Sequence, residues 1–216
     1  MANRDFIYGR QPVREVLAAG KRRISALYLG ANPRPSPELE DILRLADQAG
    51  VTPMRVKRNR LEQMAGNHGN HQGVALEVGR FSYAEWRDAL PEIITDTTSH
   101  NPIFLILDRV QDPQNLGSLI RSADAAGVAL VVIPRDRAAP VTPAVVRASA
   151  GASEHARICI VANLVTCLRE LAEAGIDSIG LEADDASVEL ASVKVSGATA
   201  VVVGSEGKGL RRLVKE

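Results

Sequence analysis

The 216-residue chain reads as an α/β protein in two parts, a small N-terminal α/β domain and a larger C-terminal domain built on a parallel sheet. Three observations predict this. From Ile103 onward, short apolar runs alternate with stretches of 3.6-residue periodicity, the pattern of a parallel sheet covered by helices on both faces. Residues 81–101 interrupt the pattern with Pro91 and the polar run Thr95-Asp96-Thr97-Thr98-Ser99, and read as a linker. Charge changes sign across that linker: 13 Lys/Arg stand against 8 Asp/Glu in residues 1–80, and 13 against 18 in residues 81–216. The domains are therefore set at 1–80 and 102–216.

Composition excludes several classes. A hydrophobic share of 45% with 24% charged residues belongs to an ordinary globular protein. No apolar run reaches the roughly 18 residues needed to span a bilayer, and MANRDFIYGRQP lacks the apolar core of a signal peptide. A cytoplasmic protein without a membrane partner is expected. Cys159 and Cys167 lie in apolar and helical contexts, as buried reduced thiols do. A net charge of zero argues against a simple polybasic binder. The charge split instead assigns a polyanion to the N-terminal part.

In residues 1–80, Val13, Val16 and Leu17 mark a short helix ended by Gly20. Ala26 to Leu29 is a strand. Pro37 to Ala49 is a helix with Leu39, Ile42, Leu43 and Ala46 on one face. Pro53 to Val56 and Val74 to Val78 are strands. Basic residues gather at the loops: Lys21, Arg22 and Arg23, then Arg55, Lys57, Arg58 and Arg60. Aromatics are only 3% of the chain, so contact through phosphates and RNA shape is expected rather than base stacking. His68 and His71 lie in a glycine-rich loop without a Cys or carboxylate cluster, so a metal site is not expected there.

After a short helix around Ala84–Leu90, the second part is expected to carry strands Ile103–Leu107, Ala129–Ile133, Ile158–Ile160, Ser178–Leu181 and Thr199–Val203. The helices are Leu116–Ala126, Ala144–Ala150 and Leu164–Ala174. Two strand ends carry unusual polar turns, and ligands of open α/β sheets sit at such ends. After Leu107 comes the turn Asp108–Gln114, with Pro113 as a stop. Asn115 stands where a helix cap belongs, and Arg121 follows six residues later. After Val203 comes Gly204-Ser205-Glu206-Gly207-Lys208-Gly209-Leu210. It is not a P-loop, because Val202 stands where a glycine is needed and Gly209 follows Lys208. No G-x-G-x-x-G occurs either. A compact loop around a nucleoside or other small ligand fits better, with Glu206 its only acid.

N-x-G-x-x-x-R after one strand, paired with V-V-G-S-E-G-K-G-L after a later one, resembles motifs 1 and 2 of the SpoU (TrmH-type) RNA 2′-O-ribose methyltransferases of the SPOUT superfamily. Phe6-Ile7-Tyr8-Gly9 and His71-Gln72-Gly73-Val74-Ala75-Leu76 resemble that family's ribosomal-protein-like substrate-binding domain. Ser149-Ala150-Gly151-Ala152 and Asn163-Leu164 fit as well. The resemblance covers nearly the whole chain, and lies nearest the bacterial subgroup that methylates a guanosine ribose in 23S rRNA. The family's third motif, Ile-Pro followed by Ser-Leu-Asn-Val-Ser, does not follow Gly209 before Glu216. The knot-forming C-terminal segment is thus expected to be absent from this chain.

The resemblance implies S-adenosylmethionine as cofactor, 23S rRNA as partner, a homodimer and no metal. Arg121 matches the catalytic arginine. A guanidinium almost never deprotonates in a protein, so gripping the target phosphate and orienting the hydroxyl is favoured over proton abstraction. Asn115 and Glu206 would hold Arg121 and the loop in place. Val203, Gly204, Leu181 and Gly209 would contact the cofactor, with Gly204 open to it for want of a Cβ. Arg10, Lys21, Arg22, Arg23, Lys57, Arg58 and His71 would contact RNA. Two other readings are a tRNA 2′-O-methyltransferase of the same family and a non-catalytic RNA-binding protein of the same fold.

Overall fold

A computed structural model describes residues 4–66, 69–96, 101–185 and 187–215. The chain divides into two compact units, Met1–Ser82 with Val141–His155, and Tyr83–Pro140 with Ala156–Glu216.

The first unit runs β1 (Asp5–Tyr8), α1 (Arg10–Ala19), β2 (Ile24–Gly30), α2 (Pro37–Gln48), β3 (Pro53–Val56), α3 (Arg58–Ala65) and β4 (Val74–Val78). Its sheet has the order β1-β4-β2-β3, with β4 antiparallel to both neighbours and β2 parallel to β3. Local chemistry fixes the helices. Ser36 caps α2 by accepting from the Leu39 amide, with Pro37 in the first turn. The Gln72 side chain does the same work for α1, accepting from the Arg10 amide at 2.7 Å. β1 and α3 are not legible in the sequence. β1 is four residues long, and α3 buries only Leu61 and Ala65.

The second unit contributes α4 (Trp86–Thr95), β5 (Ile103–Leu107), α5 (Pro113–Ala125) and β6 (Leu130–Pro134). The chain then leaves for α6 (Pro143–Ala148), and returns for β7 (Ile158–Val161), α7 (Leu164–Glu173), β8 (Asp177–Leu181), β9 (Thr199–Val203) and α8 (Arg212–Lys215). All five strands are parallel, in the order β7-β6-β5-β9-β8. The strand order reverses between β5 and β9, where neighbouring strands lead their connections to opposite edges. Phe104, Ile106, Leu130, Val132 and Val202 form the centre of its core.

The short helix expected around Ala84–Leu90 in the linker is α4, which runs on past Pro91 to Thr95 and whose Ala89, Leu90 and Ile93 belong to that core. Pro91 lies inside the helix. An interior proline costs about 3 kcal/mol. Burying Leu90 and Ile93 contributes roughly 1.5–3 kcal/mol each and offsets it. Trp86 adds a hydrogen bond from its indole nitrogen to Glu170.

The segment 141–155 joins the first unit although its sequence neighbours belong to the second. A buried ion pair ties it there. Arg22 donates to Glu154 through Nε at 2.8 Å and through its terminal nitrogen at 2.6 Å. Both side chains are 1% exposed. Arg22 also stacks 5.1 Å from the Phe81 ring centroid, Arg147 stacks on Tyr8 at 4.4 Å, and His155 pairs with Glu15 at 2.7 Å.

Cys159 and Cys167 are both buried and free. Burial pushes the Cys159 thiol up to about 12 and raises Cys167 as well. Among the described residues, no helix is long and apolar enough to cross a membrane.

Candidate active site

The two polar turns singled out in the sequence follow β5 and β9, the adjacent strands at the reversal of order. Asp108 joins them. Its amide donates to the Val203 carbonyl at 2.7 Å. Its carboxylate, fully buried, accepts from the Arg211 amide at 2.9 Å and from Arg211 Nε at 2.7 Å. A buried carboxylate needs such partners to remain charged. Asp108 thereby fixes both the start and the end of the glycine-rich loop.

That loop closes on itself: the Ser205 amide donates to the Gly209 carbonyl at 3.2 Å, and the Gly209 amide to the Ser205 carbonyl at 2.9 Å. The closure explains two glycines. A Cβ on Gly204 would lie 2.2 Å from the Gly209 carbonyl carbon. Glycine is required there by the loop's own backbone, which corrects the expectation that the missing Cβ leaves Gly204 open to a cofactor. Gly209 has φ +61°, and a Cβ there would meet the Glu182 carboxylate at 2.2 Å. Glu182 in turn accepts from the Leu210 amide at 3.0 Å and pairs with Lys215 at 3.1 Å. The Leu210 hydrogen bond, then Lys215, hold its carboxyl below the usual carboxylate range.

Between motifs, Asn115 Nδ2 donates to Glu206 Oε2 at 2.9 Å. Asn115 is not the cap of α5. Asp112 is, its side chain accepting from the Gln114 amide at 3.1 Å, and Pro113 opens the helix instead of stopping it. Asn115 is thus free to reach the loop. Arg121 lies six residues on, roughly 9 Å along the axis and rotated roughly 240° from Asn115. It is exposed, and among the described residues no hydrogen bond or ion pair to it is present. Asn115 and Glu206 hold one another, and the expected grip on Arg121 is not formed.

Leu181 and Val203 are paired across β8 and β9, and Leu181 is 41% exposed. Leu181, Ala183, Ser205, Gly207 and Lys208 line a cleft of about 550 Å³ beside Glu182 and Gly209. An exposed aliphatic side chain facing a loop of backbone amides suits a nucleoside, whose base offers an apolar face and whose edges take hydrogen bonds. The residues present fit the adenosyl part of S-adenosylmethionine.

The residues expected to meet RNA separate in the first unit. Arg22 does not belong among them: its guanidinium is buried on Glu154 and Phe81, inaccessible to a phosphate. Arg10 spans three segments, bonding Gln72 O at 3.3 Å, Ser36 Oγ at 2.6 Å and Arg34 O at 2.7 Å. Lys21 donates to the His155 carbonyl at 2.9 Å. His71 Nδ1 accepts from the Gly73 amide at 2.9 Å. These four hold structure. Arg23, Lys57 and Arg58 are exposed, with Arg58 paired to its helix neighbour Glu62. His68 lies outside the described residues. Among those described, no group of three or more His, Cys, Asp or Glu residues could hold a metal ion.

The sequence model of the SpoU rRNA Methylase family matches residues 102–216. That of the RNA 2′-O ribose methyltransferase substrate-binding family matches residues 6–84. A 23S rRNA (guanosine-2′-O-)-methyltransferase RlmB of Vibrio vulnificus is 38% identical over 213 residues, 98% of this chain and 83% of that protein. An uncharacterized tRNA/rRNA methyltransferase of Mycolicibacterium vanbaalenii is 39% identical over 214 residues, 98% of this chain and 66% of that one. In fold, the chain is similar to an AdoMet-bound rRNA methyltransferase of Sinorhizobium meliloti. The TM-score is 0.74 at 24% identity, over 99% of this chain and 75% of the other.

Proposed function

We propose, from the premise that this chain belongs to the SpoU rRNA methylase family, that it methylates a ribose 2′-hydroxyl of RNA, and specifically a guanosine of 23S rRNA. The observation that carries this reading is the Asn115–Glu206 hydrogen bond. It joins the two motifs at the strand ends where an α/β sheet places its ligands. The substrate follows from the relatives that bear that name.

Bound S-adenosylmethionine supplies an electrophilic methyl group on a sulfonium. Leu181, Val203 and the backbone of Gly204–Gly209 would hold its nucleoside. The protein's task is to position a weak nucleophile. A ribose hydroxyl gains roughly 7–11 kcal/mol from being held in line with the bond to be broken. Arg121 is suited to that work. Its charge is permanent, it is exposed, and a forked guanidinium grips the two free oxygens of a phosphodiester. It orients the adjoining ribose, while the pair Asn115–Glu206 fixes the loop against α5. Arg23, Lys57 and Arg58 in the first unit carry the remaining RNA contacts.

The finer architecture belongs to the same reading: a ribosomal-protein-like module over residues 1–80, a SPOUT domain of the trefoil-knot class over 102–216, a homodimer, and action in the cytoplasm. The name tRNA/rRNA methyltransferase borne by one relative favours tRNA as the second reading of the substrate. Transfer of labelled methyl from S-adenosylmethionine to 23S rRNA fragments and to tRNA decides between them. Incorporation at one guanosine ribose of the rRNA, with none in tRNA, is expected. Incorporation in tRNA alone overturns the substrate assignment.

A further inference from the structure

Among the described residues, four that are not glycine hold positive φ: Gln72, Arg109, Arg137 and Ala150. Two of them are arginines, and both line one cleft. It measures about 580 Å³ and lies at the carboxyl ends of β5, β6 and β7, with Arg211 and Leu213, which follow the glycine-rich loop, on its wall. Arg109 follows β5 with φ 63° and Arg137 follows β6 with φ 58°. Arg169, from α7, and Arg211 complete a set of four. Asp136 is the one acid on the wall. Arg211 is engaged by Asp108. Among the described residues, no hydrogen bond or ion pair engages Arg109, Arg137 or Arg169. Asn163 and the first turn of α7 form another wall, adding the positive end of a ten-residue helix.

The left-handed conformation is costly for any side chain with a Cβ, and glycine adopts it freely. An arginine kept at two such positions, both facing one cleft, marks the side chains as needed there. Three guanidiniums without a protein partner repel one another, so the cleft is built for an anion. It is wider than a single ion needs, and its open mouth at a strand-end edge suits a chain passing through.

Resting on the methyl-transfer reading, we propose that this cleft is a second RNA contact: a subsite for backbone phosphates flanking the methylated nucleotide, held by Arg109, Arg137 and Arg169. It places RNA on the second unit as well as on the basic first unit, although the second unit is acidic overall. The arginines are positioning residues that set where the strand lies, and they take no part in transfer.

The test uses the double variant Arg109→Gly/Arg137→Gly, with Arg169→Gln made separately. Glycine relieves the backbone at both positions, so the double variant should melt no lower than wild type. Its affinity for a single-stranded 23S rRNA fragment, read by fluorescence anisotropy, should fall roughly tenfold or more. The slope of log affinity against log salt should shrink by about 0.7 for each phosphate that is no longer neutralised. Arg169→Gln should show a smaller shift of the same kind. S-adenosylmethionine binding by calorimetry should be unchanged. Sodium phosphate and sodium chloride at equal ionic strength should compete equally. Unchanged affinity and slope overturn the proposal, as does an affinity loss that tracks a lower melting temperature. Specific displacement by inorganic phosphate would reassign the cleft to a free anion and also overturn it. If wild type binds the RNA but transfers no methyl group, the methyl-transfer reading fails, while the anisotropy still judges the cleft.

Discussion

Asn115 and Glu206, ninety-one residues apart in the chain, share a hydrogen bond of 2.9 Å between the start of α5 and the glycine-rich loop after β9. The bond is exposed, so its worth to stability is small. Its consequence is geometric, because it sets the loop against the helix that carries Arg121.

Asn115→Ala is therefore expected to leave stability within about 0.5 kcal/mol of wild type, while transfer slows by up to roughly 100-fold through misplacement of the loop. Paired thermal melts and kcat measurements check this. A melting point that falls while kcat holds would make the bond structural.

The Arg22–Glu154 pair carries the opposite expectation. Both groups are buried, so Arg22→Met alone strands a buried carboxylate and should cost about 3–5 kcal/mol. Arg22→Met with Glu154→Leu should recover most of that loss, since an apolar pair of similar volume removes both desolvation costs. Urea titration of the single and double variants measures the difference. Equal destabilisation in both would show that packing, not charge, dominates.

Acid should weaken the first unit through Glu77. Its hydrogen bond from Tyr28, helped by Arg4, holds its carboxyl below the ordinary value of 4.5. A carboxyl lowered on folding contributes stability that is full above its unfolded pKa and is lost as pH falls through the lower folded one. Tyr28→Phe should shrink that dependence. Stability of wild type and variant between pH 3 and pH 6 is the check, and identical slopes would rule out Glu77 as the source.

Much of the second unit is legible in the sequence because buried parallel strands read as unbroken apolar runs. Ile103–Leu107 and Thr199–Val203 fall where expected, and β6 and β7 differ by a residue. Pro91 hides the second half of α4, because a local stop signal is outweighed by burial that only the fold provides. No local signal reveals that Glu154 serves Arg22, since the pairing crosses 132 residues. The cap of α5 shifts from the expected Asn115 to Asp112 because both are good capping residues. Nothing in the sequence marks Arg109 and Arg137 either: arginine is not a residue that announces positive φ.

The most direct test is single-turnover methyl transfer by Arg121→Ala against a 23S rRNA fragment, with S-adenosylmethionine binding measured alongside. If Arg121 orients the ribose, transfer falls by roughly 100- to 1,000-fold or more while cofactor affinity is unchanged. Transfer at the wild-type rate would contradict that role.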